Sequence, residues 1–204
     1  MKRTEQATKN LTVQLFDAGC VKFGTFTLKS GLSSPIYIDL RLLVSHPPLL
    51  RQAAQRMAAV AEELTFDRIA AIPYAGLPIG VALALDMDQP LIYPRREAKS
   101  YGTRRSIEGA FKEGETVLLI DDLITRGGSK LEAIEPLEEA GLTVRDVLVL
   151  IDREQGGAQD LADRGYRLHT VLRLPEMVDT LEEAERISPE KAREVVEYVR
   201  ETNR

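Results

Sequence analysis

Residues 117–130 bring together side chains that could bind a phosphorylated sugar. Two adjacent carboxylates, Asp121 and Asp122, directly follow the apolar run 117–120, and a loop of hydroxyls and glycines, 125–129, follows them. Carboxylates accept hydrogen bonds from sugar hydroxyls and are ligands of Mg²⁺. Glycine amides and the amino terminus of a following helix bind anions. The order of strand, acids, glycine loop and helix therefore predicts a sugar-phosphate site.

The same residue types also suit an ordinary turn. Asp, Thr, Gly and Ser are all common in turns and at the beginnings of helices. Paired carboxylates that end a buried strand are rarer than turns, and the carboxyl edge of a parallel sheet is where ligands bind. We therefore favour the binding interpretation over the structural one.

A second group of charged residues lies at 93–105, where five cations accompany a single acid, Glu97. Most charge runs are solvated surface segments, and that interpretation stays open here. The whole chain carries a formal charge of −5. A pyrophosphate group would therefore need a local concentration of positive charge such as this one. The segment is a candidate anion clamp.

Strands and helices alternate along the chain in a way that can bring these segments together. The predicted strands are two short ones within 21–41 and those at 68–73, 90–95, 117–120, 144–151 and 166–172. The predicted helices are 4–19, 47–64, 76–86, 129–140, 158–164 and two in the tail, the second capped by Ser188. This alternation predicts an α/β fold with a doubly wound, mainly parallel central sheet.

Composition narrows the class of protein. At 204 residues the chain is long enough for one well-packed core, so a single catalytic domain over 1–204 is expected. No apolar run is long enough to span a bilayer, and the polar amino terminus lacks the apolar stretch of a signal peptide. A lone Cys20 suits a reducing compartment, which predicts a cytoplasmic protein. The pI of about 5.3 argues against a nucleic-acid partner.

The 117–130 segment resembles the phosphoribosyl-pyrophosphate (PRPP) motif of type I phosphoribosyltransferases, a hydrophobic run followed by two acids and a T-x-G-x-S/T loop. In that family the acids bind the 2′ and 3′ hydroxyls of the ribose, and the loop binds the 5′-phosphate. Arg126 stands where the family usually has a small residue. Its side chain could reach a phosphate or point to solvent, and we expect the second.

Residues 26–41 match F-x-L-K-S-G-x-x-S-P-x-Y-x-D-x-R. This string is similar to the amino-terminal hood segment of orotate phosphoribosyltransferases, which covers the base. The resemblance implies a small hood subdomain at roughly 1–45, a core of the type I phosphoribosyltransferase fold at roughly 46–175, and carboxy-terminal helices at roughly 176–204. The residues implied to bind orotate are Lys29, Tyr37, Ile38, Thr125 and Arg153.

The basic segment is similar to the mobile catalytic loop of the same family, whose pattern R-[KR]-E-x-K-x-[HY]-G is matched from Arg95 to Gly102. In family dimers this loop reaches into the neighbouring subunit's site. The resemblance thus implies a homodimer in which the 95–105 loop serves the partner chain. Tyr74 and Ala75 follow a predicted strand at the place where family members bind pyrophosphate through backbone amides.

The resemblance also implies a full set of site residues. Those implied to bind PRPP are Lys29, Tyr74, Ala75, Arg95, Arg96, Lys99, Tyr101, Asp121, Asp122, Leu123, Ile124, Thr125, Arg126, Gly127, Gly128 and Ser129. Lys99, Asp121 and Asp122 are the implied catalytic residues. Mg²⁺ is the implied cofactor, held mainly by PRPP and pyrophosphate, with Asp121 or Asp122 as a protein ligand.

Three departures refine the resemblance. Many bacterial members have a lysine in place of Ala75 and a histidine in place of Tyr101. At these positions and in the segment 152–157, the chain looks closer to the orotate half of eukaryotic UMP synthases.

The implied reaction is transfer of the phosphoribosyl group from PRPP to orotate in pyrimidine biosynthesis. A transferase for another base is disfavoured by the hood motif. A non-catalytic PRPP-sensing regulator is disfavoured by Lys99. His46 and His169 match no functional position.

Overall fold

The computed structural model of the chain describes residues 2–27, 33–95 and 106–203. Its helices are α1 (Lys2–Asp17), α2 (Pro47–Ala61), α3 (Gly76–Met87), α4 (Gly128–Glu139), α5 (Gly157–Ala162), α6 (Leu174–Glu183) and α7 (Pro189–Thr202), with a 3₁₀-helix at Leu40–Ser45. Its strands are β1 (Val21–Thr27), β2 (Ser33–Ile38), β3 (Arg68–Ala71), β4 (Leu91–Pro94), β5 (Ile107–Glu108), β6 (Thr116–Ile124), β7 (Thr143–Asp152) and β8 (Arg167–Arg173).

The central sheet has six strands in the order β5-β4-β3-β6-β7-β8. All neighbouring pairs are parallel except β4 and β5, which are antiparallel. From β3 the chain crosses outward to β4, whereas from β6 it proceeds the other way to β7 and β8. The order therefore reverses between β3 and β6, and the prediction of a doubly wound, mainly parallel sheet is confirmed. Ligands of such sheets bind at the carboxyl ends of the strands beside this reversal.

Both faces of the sheet are buried, which explains why its central strands are apolar at every position. On β6, Leu118 and Ile120 belong to the core that packs beneath α1, α2, α3, α6 and α7. Val117 and Leu119 face the other core, which contains residues of α4. A strand covered on both sides loses the alternation of apolar and polar residues that a half-exposed strand shows. Thus the apolar run that the sequence shows is a consequence of its central place in the sheet.

The amino-terminal hairpin forms a separate two-stranded sheet, which confirms the two short strands predicted within 21–41. β1 and β2 are antiparallel, with an irregularity between Phe23 and Phe26. The ring of Phe26 lies 5.5 Å from that of Tyr37, centroid to centroid. Cys20, which precedes β1, is fully buried, and burial raises the pKa of its thiol to about 11. Cys20 is thus a residue of the hydrophobic core.

The sequence did not predict two of the elements. Leu40–Ser45 forms a 3₁₀-helix whose first turn is capped by Asp39, and β5 is a strand of two residues. β6 is also longer than predicted, since it continues to Ile124. The two tail helices are confirmed, and the Ser188 hydroxyl accepts the Lys191 N–H at the beginning of α7.

Candidate active site

The two acids of the PRPP-type motif lie inside β6, not beyond its end as we expected. Because the strand continues to Ile124, Asp121 is held in the sheet and is only 6% exposed. Its Oδ1 accepts the N–H of Asp122 at 2.9 Å, and Asp122 Oδ1 accepts the N–H of Leu123 at 2.8 Å. The backbone thus fixes both carboxylates against the final residues of the strand.

Lys130, on the first turn of α4, is a site residue that sequence reasoning missed. Its Nζ lies 2.6 Å from Asp121 Oδ2, and the two side chains are only 4% and 9% exposed. The same ammonium group donates to the Leu123 carbonyl at 2.5 Å and to Ser129 Oγ at 3.4 Å. Asp121 is therefore neutralised from within the protein, which leaves Asp122 as the carboxylate that is freer to bind a ligand.

Asp122 lies in an environment that disfavours its charge. Burial is the largest cause, the neighbouring Asp121 is the second, and together they raise the pKa of Asp122 to about 7, against the opposing effects of Lys130 and the Leu123 N–H. At neutral pH this carboxyl is poised between its two states. A ligand that donates hydroxyl hydrogens would favour the ionised form, because a hydrogen bond to a carboxylate stabilises its charge.

The glycine loop after β6 forms the amino terminus of α4, as predicted, but its amides are not all free. The Gly127 N–H donates to Asp160 Oδ2 at 3.0 Å, so it is occupied in this arrangement, and its contact with an anion stays a prediction. Gly128 and Ser129 are exposed, and their N–H groups belong to the first turn, which has no preceding carbonyls to accept them. These two amides form the part of the loop that can bind a phosphate.

The other predicted residues of this segment have supporting positions. Thr125 is half-buried, and the Ile124 side chain is fully buried. The Ile124 carbonyl accepts the Arg153 N–H at 3.0 Å, which ties the loop to the end of β7. Arg126 is exposed, as we expected, and its Nη2 also donates to the Thr202 carbonyl at 3.3 Å.

The predicted pyrophosphate loop follows β3, on the other side of the reversal of strand order. Tyr74 is 65% exposed, Ala75 precedes the first residue of α3, and the peptide bond between Pro73 and Tyr74 is cis. Gly76 begins α3 in close contact with β6. A Cβ atom on Gly76 would lie 3.0 Å from Asp121 Oδ1. A glycine at this position thus lets α3 begin directly against the acidic pair.

Arg95, the first cation of the predicted clamp, is paired with an acid that the linear sequence did not associate with it. Its guanidinium contacts the Glu108 carboxylate. Its backbone N–H donates to the Ser106 carbonyl at 2.7 Å. The antiparallel pairing of β4 with β5 brings these residues together. Glu108, beyond the 93–105 segment, thus places a carboxylate beside the first cation of that segment. Lys29, Arg96, Lys99 and Tyr101 lie outside the described residues.

Arg153 is a buried cation at the carboxyl end of β7. It is 9% exposed, and its Nε and Nη2 have no hydrogen-bond partner among the residues that the structure describes. Burial lowers the pKa of Arg153, while contact with the Tyr198 side chain acts in the opposite direction. Tyr37 and Ile38, the predicted hood contacts, lie on β2: the first is 37% exposed and the second is buried. An arginine in such a place suits a planar carboxylate ligand.

Several of these segments meet around a small cavity. A volume of about 180 Å³ lies between the loop after β3, the end of β4 and the first turns of α4; its lining includes Pro73, Arg95 and Ser129. A larger cavity of about 740 Å³ lies between α1, β8 and α6. None of the predicted site residues lines the larger cavity, whereas Arg95 and Ser129 line the smaller one.

His169, which matched no functional position, has a structural role. Its Nε2 lies 2.7 Å from Asp146 Oδ1, and Arg167 donates twice to the same carboxylate at 2.8 Å. Burial acts to raise the pKa of Asp146, but these partners outweigh it, so the pKa lies below its usual value. The cluster joins β7 to β8 away from the carboxyl edge.

Comparisons with known proteins agree with this arrangement. A family model described as the phosphoribosyl transferase domain matches residues 43–172. An orotate phosphoribosyltransferase of Pyrococcus furiosus is 39% identical over 84% of this chain and 95% of the relative. The chain belongs to the orotate phosphoribosyltransferase family. The solved structure of Leishmania donovani UMP synthase has a TM-score of 0.89 and 43% identity to it, over 95% of this chain and 42% of that one.

Other relatives of this orotate phosphoribosyltransferase family member are longer. The bifunctional enzyme PyrF/PyrE of Nostoc sp. is 44% identical over 89% of this chain, but the match covers 38% of the relative. The chain thus spans about two fifths of the length of such bifunctional relatives. In the described part of the chain, no helix combines the length and apolar character needed to cross a bilayer.

Proposed function

We propose that this chain is an orotate phosphoribosyltransferase that joins N1 of orotate to C1′ of PRPP. The products are orotidine 5′-monophosphate, with inversion at C1′, and pyrophosphate, and the reaction belongs to UMP biosynthesis. The observation that carries the proposal is the position of Arg153. Two nitrogens of its buried guanidinium have no partner among the described residues, and its backbone N–H donates to the carbonyl of Ile124, which immediately precedes the phosphate-type loop (125–129). Among common nucleobases, orotate brings a carboxylate to such a cation.

The described residues divide the substrate between them. The ribose hydroxyls would donate to Asp122, because its neighbour Asp121 is already paired with Lys130. The 5′-phosphate would bind the amino terminus of α4, where Gly128 and Ser129 present amides. The 180 Å³ cavity beside Arg95 would then hold the pyrophosphate end.

Catalysis in this proposal depends on positioning and charge. As pyrophosphate leaves, C1′ becomes cation-like and negative charge grows on the departing oxygens. Arg95 and Lys99 would stabilise that charge, and a site closed to water would protect the ribosyl cation from hydrolysis. Arg95 must exchange its contact with Glu108 for the pyrophosphate or share it. No protein group needs to form a covalent bond with the substrate.

The described carboxylates suit a magnesium ion that is bound chiefly by its substrate. Mg²⁺ in phosphate-transfer sites is commonly held by one or two carboxylates together with phosphate oxygens and water. Asp122 fits this pattern best, because Asp121 is already paired with Lys130. When bound with PRPP, the ion would supply positive charge to the leaving group.

We also propose that the protein is a cytoplasmic homodimer in which the 95–105 loop serves the neighbouring site. The residues that flank the loop support this proposal. On its two sides, Tyr93 pairs with Glu108 and Pro94 pairs with Ile107, so the loop begins and ends at neighbouring positions of the sheet. In an isologous dimer the same surface of both chains meets across the twofold axis, so a loop that enters the neighbouring site in one direction also does so in the other.

A panel of bases tests the proposed activity. Purified protein with PRPP and Mg²⁺ would be supplied with orotate, uracil, adenine or hypoxanthine, and both pyrophosphate and nucleotide would be measured. We expect efficient turnover with orotate alone. Uracil should react about ten- to more than a hundredfold less well, because it leaves Arg153 without a charged partner. Turnover of a purine would assign the chain to another base. PRPP binding without turnover of any base would indicate a regulator.

A further inference from the structure

The last two turns of α7 lie near the residues proposed to bind the base, Arg153 and those of β2. α7 buries Val195 and Val199 in the core and packs against β2, the strand of Tyr37 and Ile38. Its final turn meets the loops that follow β6 and β7. A helix that only closed the hydrophobic core would not need polar contacts with both of these loops.

Two of those polar contacts converge on one residue, Thr202. Gln155, on the loop after β7, donates from Nε2 to Thr202 Oγ1 at 2.6 Å, and its own side chain is only 3% exposed. Arg126, on the phosphate-type loop, donates to the carbonyl of Thr202 at 3.3 Å. The partners lie 47 and 76 residues from Thr202 in the sequence. Thr202 therefore joins both loops to α7, just beyond the last β6–β7 strand pair, Ile124 with Asp152.

The path of Arg126 to α7 depends on a glycine. The Arg126 guanidinium passes over Gly156, where a Cβ atom would lie 2.2 Å from Nη1. Gly156 also has a φ of +97°, a backbone conformation that side-chain-bearing residues rarely adopt. The missing Cβ atom leaves room for the guanidinium, and the positive φ is a second reason why glycine suits this position. The unusual arginine of the motif and this glycine thus form one arrangement.

One turn before Thr202, Tyr198 contacts the guanidinium of Arg153. Tyr198 is only partly buried, whereas Arg153 is 9% exposed and two of its nitrogens have no partner in the described ranges 2–27, 33–95 and 106–203. An arginine has five N–H donors, so a contact with one phenol oxygen leaves Nε and Nη2 available to another ligand. Tyr198 thus lies beside the cation and leaves these two nitrogens without a partner among the described residues.

We propose that the end of α7 is part of the base site: Tyr198 positions the Arg153 guanidinium for a substrate carboxylate, and Thr202 holds the Arg126 and Gln155 loops at a fixed separation. This inference rests on the proposed function and deepens it, because it names residues that set recognition of the base. Neither Tyr198 nor Thr202 contacts the reacting atoms. Both are positioning residues, and they act through Arg153 and the two loops.

The role of Tyr198 is tested by Tyr198→Phe, which removes only the hydroxyl. We expect the KM for orotate to rise about two- to tenfold, the effect of one lost hydrogen bond, while the KM for PRPP and the melting temperature stay unchanged. Tyr166→Phe is the matched control, since the Tyr166 hydroxyl contacts Glu138, away from the base side. Equal rises in both KM values, or no change in the KM for orotate, would overturn this role.

The role of Thr202 is tested by two truncations. Removal of 203–204 leaves Thr202 in place, whereas removal of 202–204 deletes both of its contacts. We expect the shorter truncation to match the full chain and the longer one to raise the KM for both orotate and PRPP several-fold, because the two loops lose their common partner. Equal behaviour of the two truncations would overturn it. A full-length chain that turns over no orotate would instead defeat the proposed function, so the two failures are distinguishable.

Discussion

Lys130 Nζ lies 2.6 Å from Asp121 Oδ2, and this buried ion pair organises the acidic end of β6. Two neighbouring carboxylates repel each other, and a nearby cation reduces that cost. Lys130 also binds the Leu123 carbonyl, which joins the first turn of α4 to the strand that it follows. The pair therefore fixes both the charge of Asp121 and the position of the phosphate-type loop.

Breaking this pair should destabilise the fold. Lys130→Met leaves the buried carboxylate of Asp121 without its cation, for which we expect a loss of about 3–5 kcal/mol in the free energy of unfolding. Lys130→Arg, which keeps the charge, is the matched variant and should lose much less. Urea denaturation of the three proteins measures the difference. A loss below about 1 kcal/mol for Lys130→Met would show that the pair contributes little.

The raised pKa of Asp122 should make the free energy of unfolding depend on pH. Its pKa is raised from 3.8 to about 7 by burial and by Asp121. Between these two values the carboxyl is ionised in the unfolded chain but protonated in the folded protein, so raising the pH through this window lowers the free energy of unfolding. Above about pH 7 the carboxyl is ionised in both states, and the loss is complete.

Asp122→Asn removes this titration. Without ligands, the variant should therefore melt at a higher temperature than the wild type at pH 8, by about 2–4 °C for each kcal/mol gained, with no such difference at pH 4. Calorimetry across this range gives the comparison. A constant difference at all pH values would mean that Asp122 keeps an ordinary pKa.

Glu108 should compete with pyrophosphate for Arg95. Glu108→Gln removes the counter-charge, and we expect the KM for PRPP to fall about 1.4- to fivefold, the range for a partly exposed ion pair of 0.2–1 kcal/mol. Glu62→Gln, at an exposed position beyond α2, removes the same charge elsewhere and controls for net charge. An unchanged or higher KM for PRPP in Glu108→Gln alone would show that the acid supports the clamp instead of opposing it.

Mixing of two inactive variants tests whether the sites are shared between subunits. Lys99→Ala and Asp122→Asn should each be nearly inactive alone. If Lys99 serves the partner's site, each hybrid dimer rebuilds one intact site of two; half of random dimers are hybrids, so about a quarter of wild-type activity should return. Mass spectrometry would verify subunit exchange. Exchange without recovery would place Lys99 in its own chain's site.

Much of this architecture could be predicted because each step depends on neighbouring residues. The alternation of strands and helices, the acids after an apolar strand and the cap at Ser188 are all local patterns. The same reliance on local patterns made the predicted strand end at residue 120, whereas β6 ends at Ile124. Polar residues such as Asp121 interrupt an apolar run, yet the backbone pairing with β7 continues past them to Ile124.

The contacts that sequence reasoning missed are those that only the fold creates. Glu108 reaches Arg95 through a two-residue strand, too short to show any periodicity. Arg126 meets Thr202 across 76 residues. Lys130 is near Asp121 in sequence, but an exposed lysine and a buried one look the same in a helix that is read without its neighbours.

The central claim is that Arg153 binds the carboxylate of the base. The ratio of kcat/KM for orotate to kcat/KM for uracil tests this claim most directly. Arg153→Met should reduce this ratio about ten- to a hundredfold, because only orotate loses a charge-assisted partner. Arg164→Met, at an exposed position, is the control and should leave the ratio unchanged. Equal losses for both bases in Arg153→Met, with the ratio preserved, would contradict the account.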